Sequence, residues 1–314
     1  MKKLFALALV LAMVLTCAAA LAEDYTIYLI TMDLEDKHWV SVDEGAQAAI
    51  AEAQEAGVSV RYVWNGPTTS KNDAAQIECI NNAYSDNADV ILLASNGPQT
   101  EVATIEQYDA EGVKFIYVDS PADSDVALQT LATDNTAAGT LAGQTLLDAL
   151  TAAGVTEGKI GIVNVNASTV STQQRAAGFR AAFEGTNFEI LEDVYTDGDA
   201  ARSQEAATNF ITDGCVALFG ANEGCTVGTG NAIKAEGEGC TVLAVGFDKS
   251  DAILNLVAEG YLVATTAQNP YNMGYYGVKT AIEYLTNGTT EFEDVDTGAT
   301  MLTAEYIAEN NLLG

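Results

Sequence analysis

Residues 89–97 read Asp-Val-Ile-Leu-Leu-Ala-Ser-Asn-Gly. The apolar run is too short for a helix and lacks polar alternation, which marks a strand buried on both faces. It stops abruptly at Ser95, Asn96 and Gly97, residues that favour turns. The same shape recurs in YTIYLITM from Tyr25, VSVRYVW from Val58, VKFIYVD from Val113 and KIGIVNVN from Lys159. It returns in VALFGAN from Val216, TVLAVGFD from Thr241 and YLVATTAQ from Tyr261. Ala-rich stretches with helical spacing lie between them, such as VDEGAQAAIAEAQEAG from Val42 and DAAQIECINNAYSDNA from Asp73. Gly57, Gly112, Gly154 and Gly260 precede strands as helix C-terminal signals. Repeated strand–helix–strand units predict an α/β fold of doubly wound parallel sheets.

The 314 residues and these many strands exceed one comfortable sheet. A break is expected near Leu131-Ala132-Thr133-Asp134-Asn135, before a long helix over Thr136 to Gly154, and a second series starts at Lys159. The two halves look like similar units laid end to end. No Pro-, Gly- or Ser-rich linker separates them, so the chain is expected to pass between the domains more than once.

Hydrophobic residues make up 48% and charged residues 18%, which is globular composition. With 44 acidic against 13 basic residues the formal charge is −31. That surface disfavours phosphate backbones, so nucleic acid is excluded as a partner. Lys2 and Lys3, the apolar run Leu4 to Leu15 and the small-residue site Ala20-Leu21-Ala22 form an export leader. Residues 1–22 are read as a signal peptide cleaved after Ala22, giving a protein outside the cytoplasm. Lipid attachment at Cys17 is the alternative anchor, disfavoured by Thr16 just before it. Of the other cysteines, Cys79, Cys215, Cys225 and Cys240, the second and fourth each open an apolar run. Adjacent parallel strands would set Cys215 beside Cys240, but such strands seldom offer disulfide geometry, so buried thiols are expected. A lone histidine, His38, builds no usual zinc site.

The functional signal is where polar residues fall. Asn96, Asp119, Asn166, Asn222, Asp248 and Gln268 each terminate an apolar run. In open α/β sheets ligands bind beyond the carboxyl ends of the strands, where short amides and carboxylates offer fixed donors and acceptors. Any one of these residues could merely cap a helix or make a turn; their recurrence in both halves points to a binding site. Trp39, in the loop after the first strand, is either core or an indole platform for the apolar face of a sugar ring.

These features together resemble the periplasmic sugar-binding proteins of the ribose and galactose type, along essentially the whole mature chain. The most specific pieces are the loop Asp36-Lys37-His38-Trp39, Ala132-Thr133-Asp134-Asn135, Arg175 to Phe179 (RAAGF), Ala221-Asn222-Glu223, Gly246-Phe247-Asp248 and Ala267-Gln268-Asn269-Pro270. The resemblance implies two discontinuous domains, residues 23–133 with 269–297 and 134–268 with 298–314, joined by a three-crossing hinge with the ligand cleft between them. It implies ligand contacts at Asp36, Lys37, His38, Trp39, Ser95, Asn96, Asp119, Ser120, Gln173, Arg175, Asn222, Asp248 and Gln268. It further implies a monomer with no cofactor, which binds a monosaccharide or similar polyhydroxylated molecule and hands it to an ABC permease in the membrane. The alternative receiver is a chemoreceptor or sensor kinase.

The chain departs from the ribose type at Ser120 and Gln173, where that type carries arginine, and at His38 and Trp39, where it carries phenylalanines. Lys37 and Asp119-Ser120 give a weaker likeness to the autoinducer-2 and rhamnose branches. Enzyme motifs are missing: there is no Gly-x-Ser-x-Gly elbow, His-Glu-x-x-His helix or Walker loop. A sugar-responsive repressor of the same fold would need a DNA-binding module where the leader stands.

Overall fold

The computed structural model describes residues 25–68, 72–237 and 239–313. The leader, its cleavage site and Cys17 lie outside the described residues. Contacts divide the chain into two units: one extends to Leu131 and includes Pro270–Val295, the other holds Ala132–Asn269 and resumes at Asp296.

In the first unit, β1 (Tyr25–Ile30), β2 (Val60–Asn65), β3 (Val90–Leu93), β4 (Lys114–Val118) and β5 (Thr130–Ala132) form a sheet. β1 lies between β2 and β3, and each neighbouring pair along β2-β1-β3-β4-β5 is parallel. Helices α1 (Lys37–Glu55), α2 (Asp73–Ser85) and α3 (Val102–Ala110) connect these strands. The unbroken apolar runs have a simple cause. Ile27, Leu29, Val90, Leu92, Ile116 and Val118 enter one core cluster; the intervening Tyr28, Ile30, Ile91, Leu93, Phe115 and Tyr117 enter another. Successive side chains point to opposite faces, and both faces are covered.

The second unit repeats the plan. Its elements are α4 (Asn135–Ala152), β6 (Glu157–Asn164), α5 (Val170–Ala181), β7 (Asn187–Ile190) and β8 (Val194–Tyr195), followed by α6 (Ala200–Thr212), β9 (Cys215–Gly220), α7 (Glu223–Glu236), β10 (Leu243–Phe247), α8 (Asp251–Ala258) and β11 (Ala264–Gln268). Then come α9 (Pro270–Asn287) and β12 (Val295–Asp296), which belong chiefly to the first unit, and β13 (Ala299–Thr303) with α10 (Ala304–Glu309). The two sheet orders are β12-β5-β4-β3-β1-β2 and β13-β11-β10-β9-β6-β7, with β8 alongside β6. Thus β1, β3, β4 and β5 correspond to β6, β9, β10 and β11. The parallel expectation misses one edge, since β13 runs antiparallel to β11.

Each unit contains a close helix crossing of one kind. A Cβ on Gly45 of α1 would lie 1.9 Å from the Tyr271 carbonyl of α9, and one on Gly274 of α9 would lie 1.9 Å from the Val42 carbonyl of α1. In the second unit, a Cβ on Gly139 of α4 would lie 2.1 Å from the Arg175 carbonyl of α5, and one on Gly178 of α5 would lie 2.0 Å from the Thr136 carbonyl of α4. Every helix in these pairs offers a carbonyl and, three residues on, a glycine. Such contact leaves no room for a side chain.

The described cysteines are free thiols. Cys215 opens β9, but Cys240 lies in the turn ahead of β10 and is only half-buried, so the two do not begin neighbouring strands. Burial raises Cys215 to about 11, and a neutral thiol there is inert.

Candidate functional site

The carboxyl ends of the strands carry the polar residues, and each unit gathers its own cluster. In the first unit, Asp119 follows β4 with φ 62°, in left-handed backbone. Such conformations cost a non-glycine residue roughly 1 kcal/mol or more, with aspartate among the most tolerant. His38 Nε2 lies 3.0 Å from Asp119 Oδ2, and Ser120 Oγ donates to Asp119 Oδ1 at 2.6 Å. The Ser95 amide donates to the Ser120 carbonyl at 2.8 Å, so the loops after β3 and β4 are tied together. Asn96 Nδ2 donates to Met32 O at 3.2 Å, which adds the loop after β1. Asn96 Oδ1 is buried and takes no hydrogen bond among the described residues. A buried acceptor of this kind costs free energy until a donor reaches it.

The second unit does the same with different chemistry. Asp248 follows β10 with φ 73°. Its Oδ1 accepts from Gln268 Nε2 at 2.6 Å, and its Oδ2 from the Glu223 amide at 3.0 Å. Arg175 Nη1 stands 3.7 Å from Asp248 Oδ2. That arginine is 3% exposed, donates to Asn135 Oδ1 at 2.8 Å and Ala221 O at 3.1 Å, and lies 3.8 Å over the Phe247 ring. A guanidinium so committed orients its carboxylate partner. Gln268 Oε1 is buried without a hydrogen-bond partner among the described residues. Asn222 is the N-cap of α7, accepting from the Cys225 amide at 2.9 Å.

Other expected residues have different tasks. Trp39 does not stand open on its loop: it is 6% exposed and heads the buried stripe Trp39, Val42, Ala46, Ala49, Ile50 and Ala53 of α1. Its helical spacing turns it to the sheet, and His38 packs edge-on against it at 4.6 Å. Asp36 caps α1 through the His38 amide at 2.9 Å, and Lys37 is exposed. Gln173 donates to Asn166 O at 2.7 Å, in the loop after β6. Asn166 itself is a turn cap, accepting from the Ser168 and Thr169 amides and hydroxyls.

Sequence reasoning missed the supports behind these loops. Gln76, fully buried on α2, donates to Thr31 O and Ala94 O at 2.9 Å each, and accepts from the Asn96 amide at 2.6 Å. A glutamine on the apolar stripe shared by Cys79, Ile80 and Ala83 was the available signal. Asn135 supports Arg175 from the start of α4. Glu101, 0% exposed, accepts from Ser95 Oγ at 2.6 Å.

A family model described as "Periplasmic binding protein domain" matches residues 27–290. The ribose import binding protein of Haemophilus influenzae is 26% identical over 288 residues, covering 91% of this chain and 94% of its own. The D-allose-binding periplasmic protein of Escherichia coli is 27% identical, with coverage of 86% and 87%. Among solved structures, an ABC transporter solute-binding protein from Agrobacterium vitis with bound D-fucose superposes with a TM-score of 0.81 at 28% identity, covering 91% of this chain and 98% of that one. A carbohydrate transporter solute-binding protein from Agrobacterium radiobacter in complex with D-arabinose gives 0.81 at 28%, covering 92% and 98%.

Proposed function

Since the chain belongs to the periplasmic binding protein family, we propose that it is an exported substrate-binding protein that takes up a monosaccharide or similar polyhydroxylated molecule through the clusters of both units and delivers it to an ABC permease. The observation that carries this reading is the pair Asp119 and Asp248. Both stand in left-handed backbone one residue beyond corresponding strands, and both are held by neighbouring donors. A carboxylate fixed in this way accepts from neighbouring hydroxyls at roughly 1.5–3 kcal/mol per charged hydrogen bond. The unmet acceptors Asn96 Oδ1 and Gln268 Oε1 suit further hydroxyl donors. Left unpaired, they also penalise a ligand lacking those hydroxyls. The named relatives are binding proteins rather than enzymes, and the bound sugars in the solved neighbours favour the same ligand class.

Thermal unfolding against a panel of pentoses, hexoses, inositols, nucleosides and autoinducer-2 tests this. A ligand at a hundred times its dissociation constant adds about 2.7 kcal/mol of stability. A clear upward shift with one or two sugars is the expected result; a flat response across the sugars overturns the proposed ligand class.

A further inference from the structure

Behind the loop that carries Asn96 sits a carboxylic acid to which the binding chemistry assigns no task. Glu101 is 0% exposed. Its Oε2 accepts from Ser95 Oγ at 2.6 Å, and its Oε1 from the Gly97 amide at 3.3 Å. The loop is gripped from its other side as well: Asp73, first residue of α2, accepts from Thr100 Oγ1 at 2.9 Å. A Cβ on Gly97 would lie 2.1 Å from Thr100 Oγ1 and 2.3 Å from Asp73 Oδ2, so the loop is wedged between two acids.

The titratable groups that act on Glu101 are acidic or neutral, Asp73 from α2 and Tyr117 from β4; Glu106 from α3 and Asp125 in turn act on Tyr117, and the Asp123 amide donates to Pro98 O at 2.9 Å. The His38–Asp119 pair connects to the same loop through the Ser120–Ser95 backbone bond. No cation pairs with Glu101 among the described residues.

We propose that Glu101 is a positioning residue for the candidate site, whose proton sets the hydrogen bonding of the Ser95–Gly97 loop and so makes the affinity for a hydroxyl-rich ligand respond to pH. As a carboxylate, Glu101 accepts from both Ser95 Oγ–H and the Gly97 N–H. Once protonated on Oε2 it donates to Ser95 Oγ, and the serine hydrogen is released to seek another acceptor. The Ser95–Glu101 bond thus reverses direction with one proton, directly before Asn96. Burial, reinforced by Asp73, pushes the Glu101 acid up to about 7, so the reversal falls in the neutral range. A raised carboxylate pKa stabilises the fold fully below its ordinary value, and that contribution is lost as pH rises towards the raised one.

The effect on ligand rests on the proposed function; the loop titration does not. In the wild-type protein, the amide NMR signals of Ser95, Asn96 and Gly97 should shift with a shared midpoint near 7, and Glu101→Gln should flatten them. A midpoint in the ordinary carboxylate range, or a titration surviving in the variant, overturns the proposal. The Tm of the wild type should fall relative to Glu101→Gln between pH 5 and 8; parallel Tm profiles overturn it too. For the link to binding, affinity for whichever sugar gave the thermal shift is measured from pH 6 to 8 in the wild type, E101Q and H38Q. E101Q should remove a change of at least about threefold, the worth of one weak hydrogen bond, while H38Q retains it. Identical profiles in wild type and E101Q overturn the link. Absence of binding by any sugar counts against the proposed function, and the amide titration still decides the role of Glu101.

Discussion

The two units solve one problem twice, with different materials. Asp119 and Asp248 occupy corresponding strand ends and share left-handed backbone, yet their partners differ in kind. Asp119 is held by His38, charged only when protonated, and by the Ser120 hydroxyl. Asp248 is held by Gln268, by the Glu223 amide and by a guanidinium that keeps its charge at any physiological pH. One fold therefore presents a carboxylate beside an imidazole and a hydroxyl in its first unit and beside a permanent charge in its second. The backbone places the group, and the side chains around it decide how firmly it is held.

The largest way to break this comparison is through the permanent charge. Arg175→Met should destabilise the protein by about 3 kcal/mol in urea denaturation, because Asn135 Oδ1 and Ala221 O lose their buried donors and Asp248 its cation. A loss no larger than that of a surface substitution would show that the guanidinium is not the fixed anchor described. Next, Asp248→Ala should weaken sugar binding about 100-fold, the worth of one to two charged hydrogen bonds, with the near-ultraviolet circular dichroism retained. Unchanged affinity would remove Asp248 from the site. His38→Gln, which offers Asp119 an uncharged donor, should cost about tenfold, and Ser120→Ala about fivefold. Both should leave thermal stability nearly untouched. Should His38→Gln cost as much as Asp248→Ala, the two settings would be equivalent after all.

The strands were legible because burial on both faces writes itself as an unbroken apolar run, and the run's last residue names what stands at the strand end. DVILLASNG shows this: Ile91 and Leu92 enter opposite clusters, and Asn96 emerges where expected. The edge strand β13 was hidden because Ala299–Thr303 is only partly buried and carries two threonines, so it has neither pattern. Asn166 followed the same rule at the sequence level and proved to be a turn cap, since a strand-end amide reads alike whether it faces a ligand or its own loop. The supporting residues were illegible for another reason. Gln76 acts on Asn96 twenty residues away, and Arg175 on Asn135 forty residues away, separations at which sequence carries no periodicity. Trp39 could be read both ways, and the stripe it shares with Val42 and Ala46 decides for the core.

The glycine crossings have a consequence in time. In the second unit α4 and α5 meet soon after both are made: Thr140 reaches the Gly178 carbonyl across 38 positions. In the first unit α1 must wait for α9, and Tyr275 reaches Glu52 across 223. Closing so long a loop is slow compared with a local pairing. The unit that begins the chain therefore waits for α9 and stays open until most of the polypeptide has emerged, when the second unit lacks only β13 and α10. For a chain made from its N-terminus onwards, that delay keeps the leading half pliable until α9 has joined it.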